Sequence, residues 1–240
     1  KAFLCDMPVD LEVESVDAAL EGVRRTKVPL LVGFNRRFDP SFARLKREVA
    51  EGRAGQVEMV SIISRDPAPP SAAYLGGSGG LFKDMSIHDL DLARWLLGGP
   101  VRSVFASARA LTSSEVKEAG DVDTAVIVLE TDRALATITN SRRAGYGYAQ
   151  RVEVHGSQGL LRADNARRDT VSYAGGDGHH RDPLPYFFTE RYAESYRRQM
   201  DHFIRAGDDT LPLLITGYDG RAALVLAEAA QASLQSGQKV

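Results

Sequence analysis

The residues best suited to chemistry by type and spacing are Asp84, His88 and Asp91. At about 100° per helical residue they fall on one stripe, which Trp95 completes. A carboxylate and an imidazole four residues apart can hydrogen-bond, which fixes the imidazole tautomer and leaves its far nitrogen free to accept a proton. The spacing therefore suits a general base. It also suits a core histidine satisfied by a neighbouring aspartate, which is the commoner arrangement.

The segment that carries these residues, 79–99, predicts a single helix because glycines open and close it. Ile87 and Leu92 flank the polar stripe, and further leucine and alanine side chains cover much of the remaining surface. A solvated helix would not surround its charges with so much apolar surface. We therefore expect the stripe to face the interior of the protein.

A metal site at Asp84, His88 and Asp91 is a possible alternative on spacing alone. No further ligand lies nearby in the sequence, and structural zinc sites usually contain cysteine or more histidine. His179 and His180 lie in a glycine-rich segment and are predicted to form a mobile loop tip rather than a ligand pair. We predict no metal site.

Composition excludes several classes of protein. The chain has 240 residues, 43% hydrophobic content and a net charge of -2, without a basic stripe that would favour nucleic acid as a partner. No apolar run approaches the roughly 18 residues that a membrane span requires. Cys5 is the only cysteine, which excludes an intrachain disulfide and favours a reducing, cytoplasmic setting.

The first part of the chain predicts strand, helix and strand at 2–5, 12–25 and 28–34. The continuous apolar run of the second strand is typical of a buried parallel sheet, so this unit resembles the end of a doubly wound domain. A parallel strand pair requires further strands and helices, and we expect preceding units. Asp39 and Pro40 predict the start of a helix that ends near residue 51.

From residue 56 the pattern changes to strands that are joined by short turns, which predicts antiparallel pairing. The predicted strands lie near 57–64, 101–111, 124–130, 135–141 and 151–155, with shorter ones at 159–163 and 170–173, and the predicted closing helices at 190–206 and 218–236.

The strand 125–129 is apolar at every position. If helices cover one face of the sheet, the other face also presents apolar side chains. We predict that two such sheets pack face to face in a homo-oligomer, a dimer or a tetramer. The alternative is a strand that is buried on both sides within one chain.

Several sequence blocks together resemble the glucose–fructose oxidoreductase / inositol 2-dehydrogenase family, with the myo-inositol 2-dehydrogenases as its nearest members. The blocks are residues 33–39 (GFNRRFD), 64–67 (SRDP), 79–84 (GGLFKD) with His88, 120–125 (GDVDTA), 140–143 (NSRR), 146–148 (YGY), 153–157 (EVHGS) and 186–188 (YFF). Each block is moderately specific, and their order and spacing over nearly the whole chain carry the resemblance to the C-terminal two-thirds of the family.

The resemblance implies an α/β fold: the C-terminal remnant of a Rossmann domain (1–55), followed by a substrate and oligomerisation domain (56–240) with an open, mainly antiparallel sheet. The implied reaction is hydride transfer from a ring carbinol of a cyclic polyol or sugar to NAD. His88 would be the base and Asp84 its partner. The implied substrate contacts are Asn35, Arg36, Asp66 and Tyr148, and the implied cofactor contacts are Asp6, Met7 and Pro8.

Two of the implied substrate contacts have a structural alternative. Arg36 could equally be a structural charge at the end of a strand, and Tyr148 an aromatic residue of the core. The chemistry supports a base at His88, because hydride removal from carbon requires that the hydroxyl proton leaves early or in concert. The imidazole has a reference pKa of about 6.5 and can accept a proton at neutral pH.

The chain departs from the family in two respects. Met7 occupies the position of a family lysine that lies near the reacting centre, and a thioether cannot donate a hydrogen bond. The Gly-x-Gly-x-x-Gly loop is absent, and about 90 further residues upstream would be needed to supply it. We therefore expect weakened or lost activity and weak NAD binding by this chain. A non-catalytic relative that binds a sugar or a polyol is the alternative.

Overall fold

The computed structural model describes residues 2–207 and 211–240. Its first unit is the predicted strand–helix–strand: β1 (Phe3–Cys5) and β2 (Leu30–Val32) are parallel, and α1 (Val13–Thr26) connects them. Every residue of β2 is buried, as its continuous apolar run predicts. A short 3-10 turn (Asn35–Phe38) follows β2 directly.

The remaining elements follow in chain order. They are α2 (Pro40–Ala50), β3 (Val57–Arg65), α3 (Ala72–Leu75), a π-helical turn (Phe82–Ser86), α4 (Ile87–Leu97), β4 (Ser103–Arg109), α5 (Ser114–Glu118), β5 (Thr124–Glu130), β6 (Leu135–Ser141), β7 (Ala149–Gly156), β8 (Gly159–Ala163), β9 (Ser172–Gly175), β10 (Gly178–Arg181), α6 (Phe188–Arg191), α7 (Ala193–Gly207) and α8 (Gly217–Ser236).

Helix α2 begins where its sequence predicts. The Asp39 carboxylate accepts hydrogen bonds from the backbone N–H groups of Ser41 and Phe42, and Pro40 occupies the first turn. This cap satisfies donors that the first turn of a helix cannot pair internally. Asp39 is also bound by Arg191 Nη1 at 2.6 Å, which ties the start of α2 to α6.

Strands β4, β5, β6, β3, β7 and β8 form one six-stranded sheet in that spatial order. Neighbouring strands are antiparallel except for the central pair β3 and β6, which is parallel. Short turns join the antiparallel neighbours β5 and β6, and β7 and β8, whereas β3 pairs with β6 only after the chain has passed through α4, β4 and β5. The sheet is mainly antiparallel, as expected.

Helices α4 and α8 pack together against one face of the six-stranded sheet. Ile62, Ile127 and Ile138 point from central strands into this core and are buried, together with Leu92 of α4. The opposite face presents Val126, which is 47% exposed, next to serine and threonine side chains of β4 and β6. Strand β5 is therefore not buried on both sides within the chain.

The hairpin β9–β10 differs from the expected loop tip. His179 pairs with Ala174 and His180 with Tyr173 in an antiparallel ladder, and all eight residues of the two strands are exposed. A strand without a buried face has no alternating pattern that a sequence analysis could detect. The short helices α3, α5 and α6 were not predicted either. No helix in the described part of the chain is long and apolar enough to cross a membrane.

Candidate active site

A cavity of about 570 Å³ lies where the ends of β1 and β2 meet the π-helical turn and the loop after β3. Eight of the nine residues that the sequence analysis selected line this cavity, and Pro8 does not. The eight are Asp6, Met7, Asn35, Arg36, Asp66, Asp84, His88 and Tyr148. Aromatic side chains that the analysis did not select form much of the remaining wall: Tyr74, Tyr186, Phe187, Phe188, Tyr192 and Tyr196.

Asp84 and His88 do not form the predicted hydrogen bond. Asp84 lies in the π-helical turn, where the backbone bonds run from i to i+5 and each turn is wider than in an α-helix. Both side chains still line the cavity, but no hydrogen bond joins them in the described structure. The Asp84 carboxylate instead accepts hydrogen bonds from Tyr74 Oη at 2.8 Å and Arg142 Nη2 at 2.7 Å.

The His88 imidazole is neutral in this site. Burial, together with the smaller effect of the nearby Arg36 charge, lowers its pKa to about 3. The ring meets Phe34 edge-on, with centroids 6.0 Å apart, and Nδ1 is buried without a hydrogen-bond partner in the described part of the chain. The ring therefore keeps its proton-accepting form at every physiological pH.

Arg36 serves as a structural charge as well as a lining residue. Its guanidinium donates to the Asp89 carboxylate, and both side chains are buried. Asp89 also accepts hydrogen bonds from Ser64 Oγ at 2.6 Å and Asn140 Nδ2 at 2.7 Å. Asp89 was not selected from the sequence, yet it joins α4 to β3, β6 and the 3-10 turn.

We expect Asp89→Ala to destabilise the fold by about 3–5 kcal/mol, because the Arg36 guanidinium would remain buried without a counter-charge. Chemical denaturation of the parent and the variant measures this change. Asp132→Ala is the matched control, since Asp132 pairs with Arg102 at the surface and such pairs contribute about 0–1 kcal/mol. Equal losses in the two variants would contradict the prediction.

Asp66 titrates near neutrality. Burial raises the pKa of its carboxyl to about 7, although the Arg142 and Arg36 guanidinium groups oppose the shift. Below this value the group is a neutral acid that can donate a hydrogen bond, and above it the group is an anion that accepts. Among the selected residues, Asp66 is thus the group whose charge changes within the working pH range.

Buried donors around the cavity lack protein partners. Asn35 Nδ2 and Tyr192 Oη have none in the described residues, and Tyr148 meets Tyr192 edge-on at 5.9 Å between centroids. Burial holds the pKa of the Tyr148 hydroxyl well above its usual range, so this group is neutral. Buried polar atoms without partners indicate a site for water or for a polar ligand.

The end of β1 contributes a close backbone approach and an uncharged side chain. A Cβ on Gly33 would lie 2.6 Å from Asp6 Oδ1, so the end of β2 requires glycine to approach β1. Met7 lines the cavity beside Asp6 and provides no N–H donor from its side chain. Among the lining residues described, Arg36 is the one lysine or arginine, and Asp89 already neutralises it.

The metal alternative is not supported by the partners of its residues. Asp91 forms a buried ion pair with Arg37, and Asp84 is bound by Arg142. Within residues 2–207 and 211–240, no three histidine, cysteine or acidic side chains are grouped as they would be to hold a metal ion.

Comparison with known proteins gives a consistent result. A sequence-family model, that of the GFO/IDH/MocA C-terminal domain, matches residues 42–162. Inositol 2-dehydrogenase of Rhizobium meliloti (strain 1021) is 46% identical over 241 residues, which cover 100% of this chain and 73% of that protein. Myo-inositol 2-dehydrogenase of Thermotoga maritima is 44% identical over 241 residues, which cover 100% of this chain and 72% of that protein.

A solved structure also resembles this fold. Scyllo-inositol dehydrogenase of Lactobacillus casei, in a crystal structure with bound cofactor NAD(H) and scyllo-inositol, has a TM-score of 0.91 and 27% sequence identity. The match covers 100% of this chain and 73% of that chain.

Proposed function

Because this chain belongs to the GFO/IDH/MocA family, we propose that it oxidises a ring hydroxyl of a cyclic polyol such as myo-inositol, with NAD as the hydride acceptor. The observation that carries the proposal is the assembly of eight selected residues around one cavity. The relatives named for inositol dehydrogenation, one of them with NAD(H) and scyllo-inositol bound, support the substrate class and the cofactor.

The residues at the end of β1 are compatible with the reactive end of a nicotinamide cofactor. Asp6 and Met7 line the same cavity as His88, and Gly33 allows Asp6 to lie close to the end of β2 because it has no side chain. The Asp6 carboxylate can accept a hydrogen bond from a ribose hydroxyl. NAD, when bound, accepts the hydride from the carbinol carbon, and the chain's own residues must orient the polyol and manage its proton.

We propose that His88 takes the hydroxyl proton. The depressed pKa keeps the ring unprotonated, and it also makes the imidazolium costly to form in the buried site. Proton transfer therefore becomes favourable only as the hydroxyl grows more acidic, while hydride leaves the same carbon. Asp84, held by Tyr74 and Arg142, is oriented to accept a hydrogen bond from a polyol hydroxyl.

Substrate selection requires several polar groups in fixed positions, since a cyclic polyol presents similar hydroxyls around its ring. Asn35, Asp66 and Tyr148 provide a donor, a titrating carboxyl and a phenol in the cavity wall. Arg36 lines the same cavity, where its guanidinium is held by Asp89.

The proposed polyol contact of Asp66 predicts a pH dependence. We expect kcat/KM for the polyol to rise as pH increases through about 7, because the Asp66 anion accepts hydrogen bonds from hydroxyls better than its neutral acid does. Asp66→Asn should remove this rise, since an amide does not titrate. Asp66→Glu is the control that retains a carboxyl group. A rise that persists unchanged in Asp66→Asn would contradict the assignment.

The test of the function itself is NADH formation from myo-inositol, with polyol binding measured separately by calorimetry. Turnover supports the dehydrogenase. Polyol binding without turnover favours the second candidate, a non-catalytic polyol-binding relative, which Met7 and the already paired Arg36 favour. The absence of both binding and turnover with inositols would contradict the proposed substrate class.

We further propose that the open face of the six-stranded sheet forms a homo-oligomer interface. Phe105, Val126 and Leu135 expose 40%, 47% and 43% of their surface on this side of the sheet. A monomeric mass in light scattering would contradict this proposal.

We also propose a domain division after residue 55, where the sequence pattern changes. A cytoplasmic location is a further proposal, which is based on the single cysteine.

A further inference from the structure

A second cavity, of about 610 Å³, lies at the opposite end of α4 from the π-helical turn. The C-terminal end of α4, α2 and the first half of α8 surround it. Its lining contains four basic side chains and one acidic side chain: Arg37, Lys46, Arg94, Arg221 and Asp219. Apolar side chains, among them Trp95, Val225 and Leu226, form another part of the wall.

We propose that this second cavity binds a phosphate group carried on a small molecule with an apolar portion. The site is separate from the proposed active site and does not depend on the proposed function. Phosphate has three terminal oxygens that accept charge-assisted hydrogen bonds, and basic side chains from different elements are the usual means of holding it.

Spare donors for such a ligand lie on three helices. Lys46 donates one N–H to the Trp95 carbonyl, which leaves two. Arg94 binds Asp219 through Nη2, and its Nε is buried without a partner among residues 2–207 and 211–240. Arg221 binds Asp17 through Nε and Nη2, and within the described part of the chain its Nη1 has no hydrogen bond.

Arg37 is paired with two acidic side chains and does not serve as a donor to the ligand. Its Nε and Nη2 atoms bind Asp91, and Nη2 also reaches Asp219 at 3.0 Å. Burial lowers the pKa of Lys46, and the charge of Arg37 lowers it further. An anion in the cavity would offset the repulsion from Arg37, because an opposite charge close to the ammonium group favours its protonated form.

The apolar wall favours an organic phosphate over the free ion. Arg37 Cζ lies 5.5 Å and Lys46 Nζ 5.7 Å from the centroid of the same Trp95 ring, so cation and aromatic surface are adjacent. Val225 and Leu226 continue the apolar surface along α8. A ligand with a ring next to its phosphate would use both kinds of surface.

Calorimetry at constant ionic strength, with inorganic phosphate and phenyl phosphate as probes, tests the proposal. We expect saturable binding of both probes, tighter for phenyl phosphate. Lys46→Met and Arg221→Gln should each weaken binding by about tenfold, because each removes a charge-assisted hydrogen bond to the phosphate. A tenfold change corresponds to about 1.4 kcal/mol of binding free energy. Lys117→Met is the matched control, because Lys117 is an exposed lysine of α5 outside the cavity.

Four outcomes would contradict the proposal. The first is no saturable heat with either probe, which would make the cluster an ion-pair network that only joins the helices. The second is equal weakening in Lys117→Met, which would indicate general charge screening. The third is an unchanged affinity in both cavity variants when their circular dichroism spectra match that of the parent and show that they are folded. Benzoate serves as a carboxylate probe, and benzoate that binds as tightly as phenyl phosphate would contradict the preference for phosphate.

Discussion

Replacement of His88 by glutamine is expected to lower kcat for polyol oxidation by about 10²–10⁴-fold, the usual contribution of a positioned general base. The amide is similar in size and can hydrogen-bond to the hydroxyl, but it cannot take up the proton. The parent imidazole is neutral at pH 7 because burial depresses its pKa to about 3. Its loss therefore removes a competent acceptor, and steady-state NADH formation measures the effect.

Polyol affinity distinguishes a lost base from a lost binding site in this variant. His88→Gln should bind the polyol with nearly the parent dissociation constant, because the other lining residues remain in place. Phe34→Leu is a useful control, since Phe34 packs edge-on against the ring without a titratable group. Parent-level turnover in His88→Gln would contradict the role of the imidazole as the base.

Met7→Lys is expected to raise kcat/KM by about 10²–10³-fold. The resemblance to the family implies a lysine at this position near the reacting centre, and a cationic donor stabilises the negative charge that develops on the carbinol oxygen. In the cavity, Met7 supplies no such donor, and Arg36 is already paired with Asp89. A new ammonium group would therefore supply a cationic donor other than the paired Arg36.

Met7→Leu is the matched control for this gain, because it changes the shape of the side chain without adding charge. Activity that rises only with lysine would indicate that catalysis in the parent is impaired rather than absent. If neither protein turns over while both bind the polyol and NAD, the non-catalytic relative becomes the better description. A loss of activity on introducing lysine would contradict the proposed geometry at the end of β1.

The local sequence was sufficient for most of the secondary structure. Strands β5, β6 and β8 have the predicted bounds, and Asp39 caps α2 as predicted, because alternating burial and helix caps depend on neighbouring residues. The strand predicted at 170–173 overlaps β9, whereas β10 was missed because none of its residues is buried. The π-helical turn was missed because its backbone departs from the period on which the prediction was based.

The sequence by itself determined which residues could carry the chemistry, and the resemblance of ordered blocks indicated the family. Only the tertiary structure decided their partners: Asp84 is bound by Arg142, which is 58 residues away, and Arg36 by Asp89, which is 53 residues away. The physical reason is that ion pairing and desolvation depend on distances and burial, which the packing of separate elements creates. The same packing makes His88 neutral and brings the pKa of Asp66 to about 7.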